Sequence, residues 1–197
     1  LDPLVVVHRS FTEEMNPEQI ARHIRSTDLP RAGLILAVPN SPLIKAAVET
    51  VAAQGVPIVH VVTRALEKTG AFVGIDNQAA GRTAAWFIAR MARAEGPVVA
   101  LCHPIYQVHR DRIRGFSDYF AAHTGPIAFD WLGFTRDEEH FSAETLAIAL
   151  EKYPDLKGYY ATNQATSEAV LSVLDKHTDR SVQMIGVDMG DTQKKAI

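Results

Sequence analysis

Short apolar runs alternate along the chain with stretches in which apolar residues recur at helical spacing. The runs are four to six residues long and rich in β-branched side chains, which predicts strands at 4–7, 33–38, 57–62, 72–75, 97–102, 127–131, 158–161 and 183–187. The stretches between them predict helices at about 16–26, 42–54, 78–94, 109–122, 138–152 and 164–177. The pattern therefore predicts a chain in which strands and helices alternate.

The predicted strands are apolar throughout rather than at every second residue. Strands of this kind are buried on both faces, as in parallel sheets that carry helices on either side, so we expect an α/β fold. Eight strands in 197 residues suit two smaller sheets better than one. The stretch ARAEGP at 92–97 marks the expected crossing point, which predicts one lobe over residues 1–94 and a second over 95–197.

Composition and charge exclude several classes of function. The formal net charge is -3 and the isoelectric point is about 6.2, which argues against binding nucleic acid by charge alone. The only long apolar windows have the length of strands, so no transmembrane helix is expected. No signal peptide is visible in the first seven residues, LDPLVVV, and Cys102 is the single cysteine. A reducing, cytoplasmic location fits these features.

Polar side chains follow most of the predicted strands, at the point where each strand ends. In open parallel sheets, ligands bind outside these carboxyl ends. The residues found there include amides, carboxylates, guanidinium groups and an aromatic ring: Thr63, Arg64, Asp76, Asn77, His103, Phe134, Arg136, Thr162, Asn163, Gln164, Asp188 and Asp191. Such groups suit a hydroxyl-rich ligand, because they supply paired donors and acceptors together with an apolar ring face.

Three arginines crowd the start of the predicted helix at 109–122, in the segment HRDRIRGF. Arg112 flanks the apolar face of this helix and is placed to reach inward, where its planar fork can grip two hydroxyls or a carboxylate. Arg110 and Arg114 point away from that face, toward solvent. The alternative, that all three are solvated or ion-paired surface groups, stays open at this point.

Other candidate chemistry has simpler explanations. Asp76 and Asn77 precede a helix, where capping is favoured over ligand contact. The side chains of Cys102 and His103 diverge on a strand end, which argues against a nucleophile–base pair. The eight histidines show no metal-binding spacing, and no phosphate-binding or nucleophile motif is present, so we expect no metal, no cofactor and no enzyme activity. Trp86 and Phe87 are expected in the core.

Several segments follow one another in a familiar order: GLILAVPN, GVPIVHVVTR, FVGIDNQAAGRTAAWFI, RIRGF, ATNQATSEAV and IGVD. The series resembles the effector-binding core of the lactose/galactose-repressor (LacI/GalR) family of transcription regulators and of their relatives, the periplasmic sugar-binding proteins. The likeness extends over nearly the whole chain. It implies a type I periplasmic-binding-protein-like architecture, in which two similar Rossmann-like lobes with parallel sheets enclose a ligand cleft.

The resemblance also implies a set of ligand-binding residues. Arg112 falls on the family's R-x-x-G-F arginine, which grips sugar hydroxyls. Asn163 matches an asparagine after the sixth core strand, and Asp188 matches the aspartate of the G-x-D stretch. For Asp188, capping of the segment after its strand is the simpler alternative, and ligand contact is favoured over it.

Two further residues match less closely. Arg64 matches an arginine of ribose-type binders, although Thr63 stands before it where those relatives often have aspartate. That difference puts a simple pentose or hexose in doubt. Phe134 is the candidate ring for stacking on a sugar.

The function implied is that of a ligand-binding domain of a transcription regulator, which senses a sugar or polyol and controls DNA binding allosterically. Its partners would then be operator DNA, bound through a domain outside this chain, and a second copy in a homodimer. The alternative is an exported solute-binding protein of an ABC transporter. The family's first strand and its last strands would lie outside residues 1–197, so the chain is expected to be incomplete at both ends.

Overall fold

A computed structural model describes residues 16–26, 31–92, 95–134, 139–174, 182–188, 190, 191 and 194. The helices are α1 (Pro17–Arg25), α2 (Pro42–Ala53), α3 (Asn77–Met91), α4 (Gln107–Ala122), α5 (Glu139–Lys152) and α6 (Gln164–Leu174). The strands are β1 (Leu34–Leu36), β2 (Ile58–Val61), β3 (Ala71–Val73), β4 (Gly96–Cys102), β5 (Ile127–Phe134), β6 (Gly158–Ala161) and β7 (Gln183–Gly186). The predicted strand at 4–7 lies outside the described residues, and the other predicted elements are confirmed with small changes at their ends.

The chain divides by packing into two compact units, one within residues 1–73 and one within residues 74–197. In the first unit, β1, β2 and β3 form a parallel sheet in that order. Helices α1 and α2 pack together, and Ile44, Ala47 and Val48 are fully buried in a cluster that also contains Leu36 and Ile58 of the sheet. Burial of these side chains supplies the main stabilisation of the unit.

Both helices of the first unit begin at residues that specify a helix start. The Asn16 side chain accepts from the backbone N–H of Glu18 at 2.9 Å, and Ser41 Oγ accepts from that of Ile44 at 3.3 Å. A proline follows each cap, in the first turn, where a helix needs no N–H donor. The sequence therefore fixes these helix ends locally.

In the second unit, the strands form a parallel sheet in the order β5-β4-β6-β7. The central strands β4 and β6 are buried on both faces: Val98, Val99, Tyr159 and Tyr160 are all 0% exposed. Helices cover each side, so the expectation of parallel sheets buried on both faces is confirmed here. This arrangement brings the carboxyl ends of β4, β6 and β7 to one edge.

Helices α3 and α4 cross in direct backbone contact. A Cβ added at Gly81 would overlap the carbonyl oxygen of Arg112, and one added at Gly115 would overlap that of Gln78. Only residues without a side chain permit this approach. The crossing therefore brings the two helix backbones together at both glycines. It also places the start of α3 beside the arginine-bearing turn of α4.

Two expectations differ from the structure. The lobe boundary is expected after residue 94, whereas α3 packs with the second unit, because its small face of Gly81, Ala84 and Ala85 lies against α4. The expectation that Trp86 and Phe87 lie in the core is wrong, since they are 40% and 44% exposed. They fall on the face of α3 opposite the small residues that pack. No helix in the described ranges is both long and apolar enough to cross a membrane.

Candidate functional site

Arg112 lies buried at the carboxyl edge of the second sheet and is 6% exposed. Its Nε donates to Asn77 Oδ1 at 3.0 Å, and its Nη1 donates to the backbone carbonyl of Thr162 at 2.6 Å. The guanidinium therefore joins the start of α3 to the loop after β6. The alternative that Arg112 is a solvated surface group is excluded by this burial.

The other two arginines of the segment differ from each other. Arg114 is exposed, as expected. Arg110 is half-buried, because its guanidinium donates to the carbonyl of Pro104 and, at 2.8 Å, to Gln107 Oε1. Arg110 therefore stabilises the loop between β4 and α4 and does not extend into solvent.

The loop after β6 is held by a network of buried polar groups. The carbonyl of Thr162 also contacts His109 Nδ1 at 3.1 Å, and because a carbonyl oxygen only accepts, this nitrogen carries the ring proton. Thr162 Oγ1 donates to the carbonyl of Leu101 at 3.1 Å, which ties the loop to β4. Hydrogen bonds that join several elements in this way hold the loop and its side chains in place.

Asn163 lies next to this carbonyl and is 8% exposed. Its Oδ1 accepts from the backbone N–H of Thr166 at 2.9 Å and from the Thr166 hydroxyl, so it caps α6. The structure therefore places Arg112 and Asn163 in neighbouring positions at the same sheet edge. The amide orientation of Asn163 is set by the start of α6.

Asp188 follows β7, the strand next to β6 in the sheet, and its side chain is exposed. Its φ of 68° lies in the left-handed region, which aspartate tolerates better than most residues. No contact described in the structure joins Asp188 to Arg112. Asp188 shares the sheet edge with Arg112 and stays a predicted ligand contact.

Arg64 lies in the first unit, after β2. Its Nη1 donates to the carbonyl of Glu67 at 3.2 Å, and its guanidinium lies 4.6 Å from the centroid of the Phe72 ring. Just before it, Val62 has a φ of 63°, which is rare for a β-branched residue, and the N–H of Thr63 bonds to the carbonyl of Val61 at 2.6 Å. Strain of this kind is often retained at functional loops.

The remaining predicted site residue is Phe134. Its backbone ends β5 and pairs in register with Cys102, while its side chain lies outside the described part of the structure. Arg136 also lies outside the described residues. Stacking of Phe134 on a ligand stays a prediction.

Sequence reasoning did not predict the roles of two sets of residues near Arg112. Asn77, assigned to capping, is 7% exposed and holds Arg112, while its neighbour Asp76 makes the cap by accepting from Ala79 N–H at 2.8 Å. The rings of Tyr106 and His109 lie 5.9 Å apart and those of Tyr106 and His103 6.1 Å apart. This ring cluster follows β4, so its position after a strand end was the sequence feature that could have indicated a role at the site.

Two buried groups near the site stay protonated at neutral pH. Burial raises the pKa of the Cys102 thiol to about 11, which makes it a poor nucleophile. Burial raises the pKa of the Tyr160 hydroxyl to about 12, although the nearby positive charge of Arg112 acts in the opposite direction. Neither group therefore supplies a negative charge to Arg112.

A cavity of about 320 Å³ lies on the other side of α4, between that helix and β5. Arg110, Ile113, Arg114 and Leu132 contribute to its lining, and Arg112 does not. The cavity is thus separate from the contacts of Arg112. Among the described residues, no group of three or more His, Cys, Asp or Glu side chains is arranged to hold a metal ion.

The fold is similar to that of several sugar-binding proteins of known structure. A periplasmic component of an ABC-type sugar transport system from Hahella chejuensis matches with a TM-score of 0.84 and 20% identity, over 96% of this chain and 71% of that chain. A solute-binding protein from Agrobacterium vitis with bound D-fucose matches with a TM-score of 0.80 and 19% identity, over 91% and 62% of the two chains.

A sugar-binding protein of a sugar ABC transporter from Bacillus halodurans matches with a TM-score of 0.71 and 24% identity. The match covers 91% of this chain, which spans 60% of that protein's length. No curated protein sequence matches the chain. These three structures, each less than 25% identical to this chain, show the shared α/β fold.

A family model described as a periplasmic binding protein domain matches residues 17–197, which is most of the chain. The two parallel sheets with helices, and the polar groups at their carboxyl edges, agree with that match. The chain belongs to the periplasmic binding protein domain family.

Proposed function

We propose that this chain is the ligand-binding part of a sugar-binding protein that delivers its ligand to a transport system. The observation that carries the proposal is the buried Arg112, held by Asn77 and Thr162 at the carboxyl edge of a parallel sheet. In α/β folds this edge is where ligands bind, and a fixed guanidinium offers paired donors to adjacent hydroxyls. Arg112, Asn163 and Asp188 are the proposed contacts in this unit, with Arg64 and Phe134 as further contacts.

The transport role is preferred over that of a transcription regulator because several similar solved structures, such as those from Bacillus halodurans and Hahella chejuensis, are described as sugar transport components. The regulator hypothesis would add operator DNA, a homodimer and a cytoplasmic location. No observation on the described residues favours any of these three over the transport role. We propose a binding function without catalysis, since the polar groups around Arg112 form hydrogen-bonded supports rather than a nucleophile and a base.

The proposal is tested by a thermal-shift screen of the chain against a panel of sugars, sugar acids and polyols that includes D-arabinose and D-fucose. A ligand that binds the folded state raises the apparent stability by mass action. We expect at least one sugar to raise the melting temperature in a concentration-dependent way. If no member of the panel does so, the sugar-binding function is wrong.

Calorimetry with a matched pair of variants then locates the site. Arg112→Ala is expected to weaken binding of the sugar by a few kcal/mol, since a charge-assisted contact is removed. Arg114→Ala, on the exposed side of the same helix, is the control and is expected to leave the affinity unchanged. Equal affinities for both variants would remove Arg112 from the site.

A further inference from the structure

The charge of Arg112 lacks a counter-ion in the described part of the protein. Both acceptors that it contacts, the Asn77 amide oxygen and the Thr162 carbonyl oxygen, are neutral. The side chain is nonetheless buried. A buried charge is costly unless it is paired and hydrogen-bonded, and neutral dipoles meet only part of that need.

The acidic groups on the elements around Arg112 are occupied elsewhere or face solvent. Asp76 caps α3, and Asp111 accepts from Gln107 Nε2 at 2.8 Å. Asp118 and Asp188 are exposed. Glu168, on α6, is contacted by the side-chain amide of Gln164 at 2.9 Å. Within the described residues, none of these carboxylates forms an ion pair with Arg112.

The other groups nearby add donors rather than negative charge. His109 donates its Nδ1 proton to the same carbonyl as Arg112, and Arg110 extends along the loop before α4. Two of the five N–H donors of the Arg112 guanidinium are used in its two described bonds, and the described residues supply no acceptor for the other three. The Arg112 guanidinium is therefore surrounded by further donors and by no carboxylate that is paired with it in the described residues.

We propose, on the basis of the sugar-binding function above, that the ligand is an acidic sugar, an aldonic or uronic acid, whose carboxylate pairs with Arg112. A carboxylate accepts two parallel N–H bonds from one guanidinium, and it supplies the single negative charge that the buried cation requires. The hydroxyl groups of the same ligand suit the amide of Asn163 and the carboxylate of Asp188.

Calorimetric titration of the chain with matched pairs tests this directly. The pairs are D-galactose with D-galacturonate, D-glucose with D-gluconate, and D-arabinose with D-arabinonate. In any pair that binds, the acid is expected to bind about tenfold more tightly or better, because an ion pair replaces a hydrogen bond from the charged guanidinium to a neutral hydroxyl. A neutral sugar that binds as tightly as its acid overturns the inference and leaves the sugar-binding function intact. Binding of no member of any pair, and of no sugar in the thermal-shift screen, overturns both.

A variant pair assigns the preference to Arg112. In Arg112→Gln the ratio of affinities for acid and neutral sugar is expected to fall by on the order of tenfold or more, because the charge is lost. Because both affinities are measured in the same variant, a general loss of affinity affects the acid and the neutral sugar alike and leaves their ratio unchanged. Arg114→Gln is the control and is expected to keep the wild-type ratio. An unchanged ratio in folded Arg112→Gln overturns the assignment to Arg112.

Circular dichroism tests whether Arg112→Gln keeps the wild-type fold. If Arg112→Gln is unfolded, Arg112→Lys is the second variant. It keeps the charge without the planar fork and is expected to retain a preference for the acid at lower affinity. The acid-to-neutral ratio of the wild-type chain decides the ligand class in either case.

Discussion

The two sheets of the molecule are both parallel and apolar in sequence, yet they are buried differently. In the second unit, β4 and β6 are covered on both faces and each central residue is inaccessible to solvent. In the first unit, the face of the sheet that carries Leu36 and Ile58 packs on helices, whereas Ile35 and Val73 are 72% and 62% exposed. The same sequence pattern thus leads to two degrees of burial.

The two sheets also carry different polar groups at their carboxyl edges. Where both faces are covered, the sheet edge holds a network around Arg112 whose partners come from three elements. In the first unit the polar edge consists of a strained turn at Val62 and a guanidinium that rests on the Phe72 ring. A rigid support for a ligand contact is therefore better developed in the second unit.

The largest expected effect tests the difference in burial. Phe116, in the second unit, is fully buried and stacks on Tyr160 with ring centroids 4.6 Å apart. Phe116→Ala is expected to lower the free energy of unfolding by about 3–5 kcal/mol, through lost burial and a cavity. Ile35→Ala, on the exposed face of the first sheet, is expected to cost under about 1 kcal/mol. Urea denaturation measures both, and equal losses would mean that the first sheet is covered in solution.

The next effect tests the contact between α3 and α4. Gly115→Ala would place a methyl group against the backbone of Gln78, so the helices must separate, at a cost of about 1–3 kcal/mol. Gly125→Ala is the matched control, because no atom lies within 4 Å of its added methyl group. The two variants are compared by thermal unfolding. A Gly115→Ala protein as stable as Gly125→Ala would contradict the close crossing.

A smaller change tests the strain in the first unit. Val62→Gly relieves the positive φ of an exposed, β-branched residue, while it adds backbone freedom to the unfolded chain. We expect a net gain of up to about 1 kcal/mol in the free energy of unfolding. Val73→Gly, in a strand of the same sheet, is expected to be destabilising instead. Loss of stability in both variants would show that the turn is not strained.

The smallest effect concerns acid stability of the first unit. Burial lowers the pKa of His60, with a smaller contribution from the charge of Arg64 and an opposing one from the hydrogen bond to the Thr69 carbonyl. The unfolded chain therefore binds this proton more readily, so stability is complete above the ordinary histidine pKa of about 6.5 and declines as the pH falls below it. Urea midpoints between pH 7.5 and 5.5 measure the slope.

His60→Gln is the control for that measurement, since it removes the titrating group while keeping a polar side chain. The decline is expected to be shallower in this variant. An identical pH dependence in both proteins would assign the effect to other groups.

The local sequence determined the order of the elements and much of the candidate site. Apolar runs and the helical spacing of apolar residues predicted all the strands and helices that lie in the described residues. Capping residues such as Asn16 and Ser41 specify helix starts without contacts to distant parts of the chain. The inward direction of Arg112 followed from its position beside the apolar stripe of α4. These features depend on neighbours within a few residues along the chain.

Only the tertiary structure decided which groups meet. The partners of Arg112 lie 35 and 50 residues away in sequence, so their contact depends on the crossing of α3 and α4 and on the pairing of β4 with β6. Tertiary packing likewise decided that Trp86, Phe87 and one face of the first sheet are exposed. Whether an apolar surface is covered depends on which elements pack against it, and a pattern of side chains along one element carries no information about that partner.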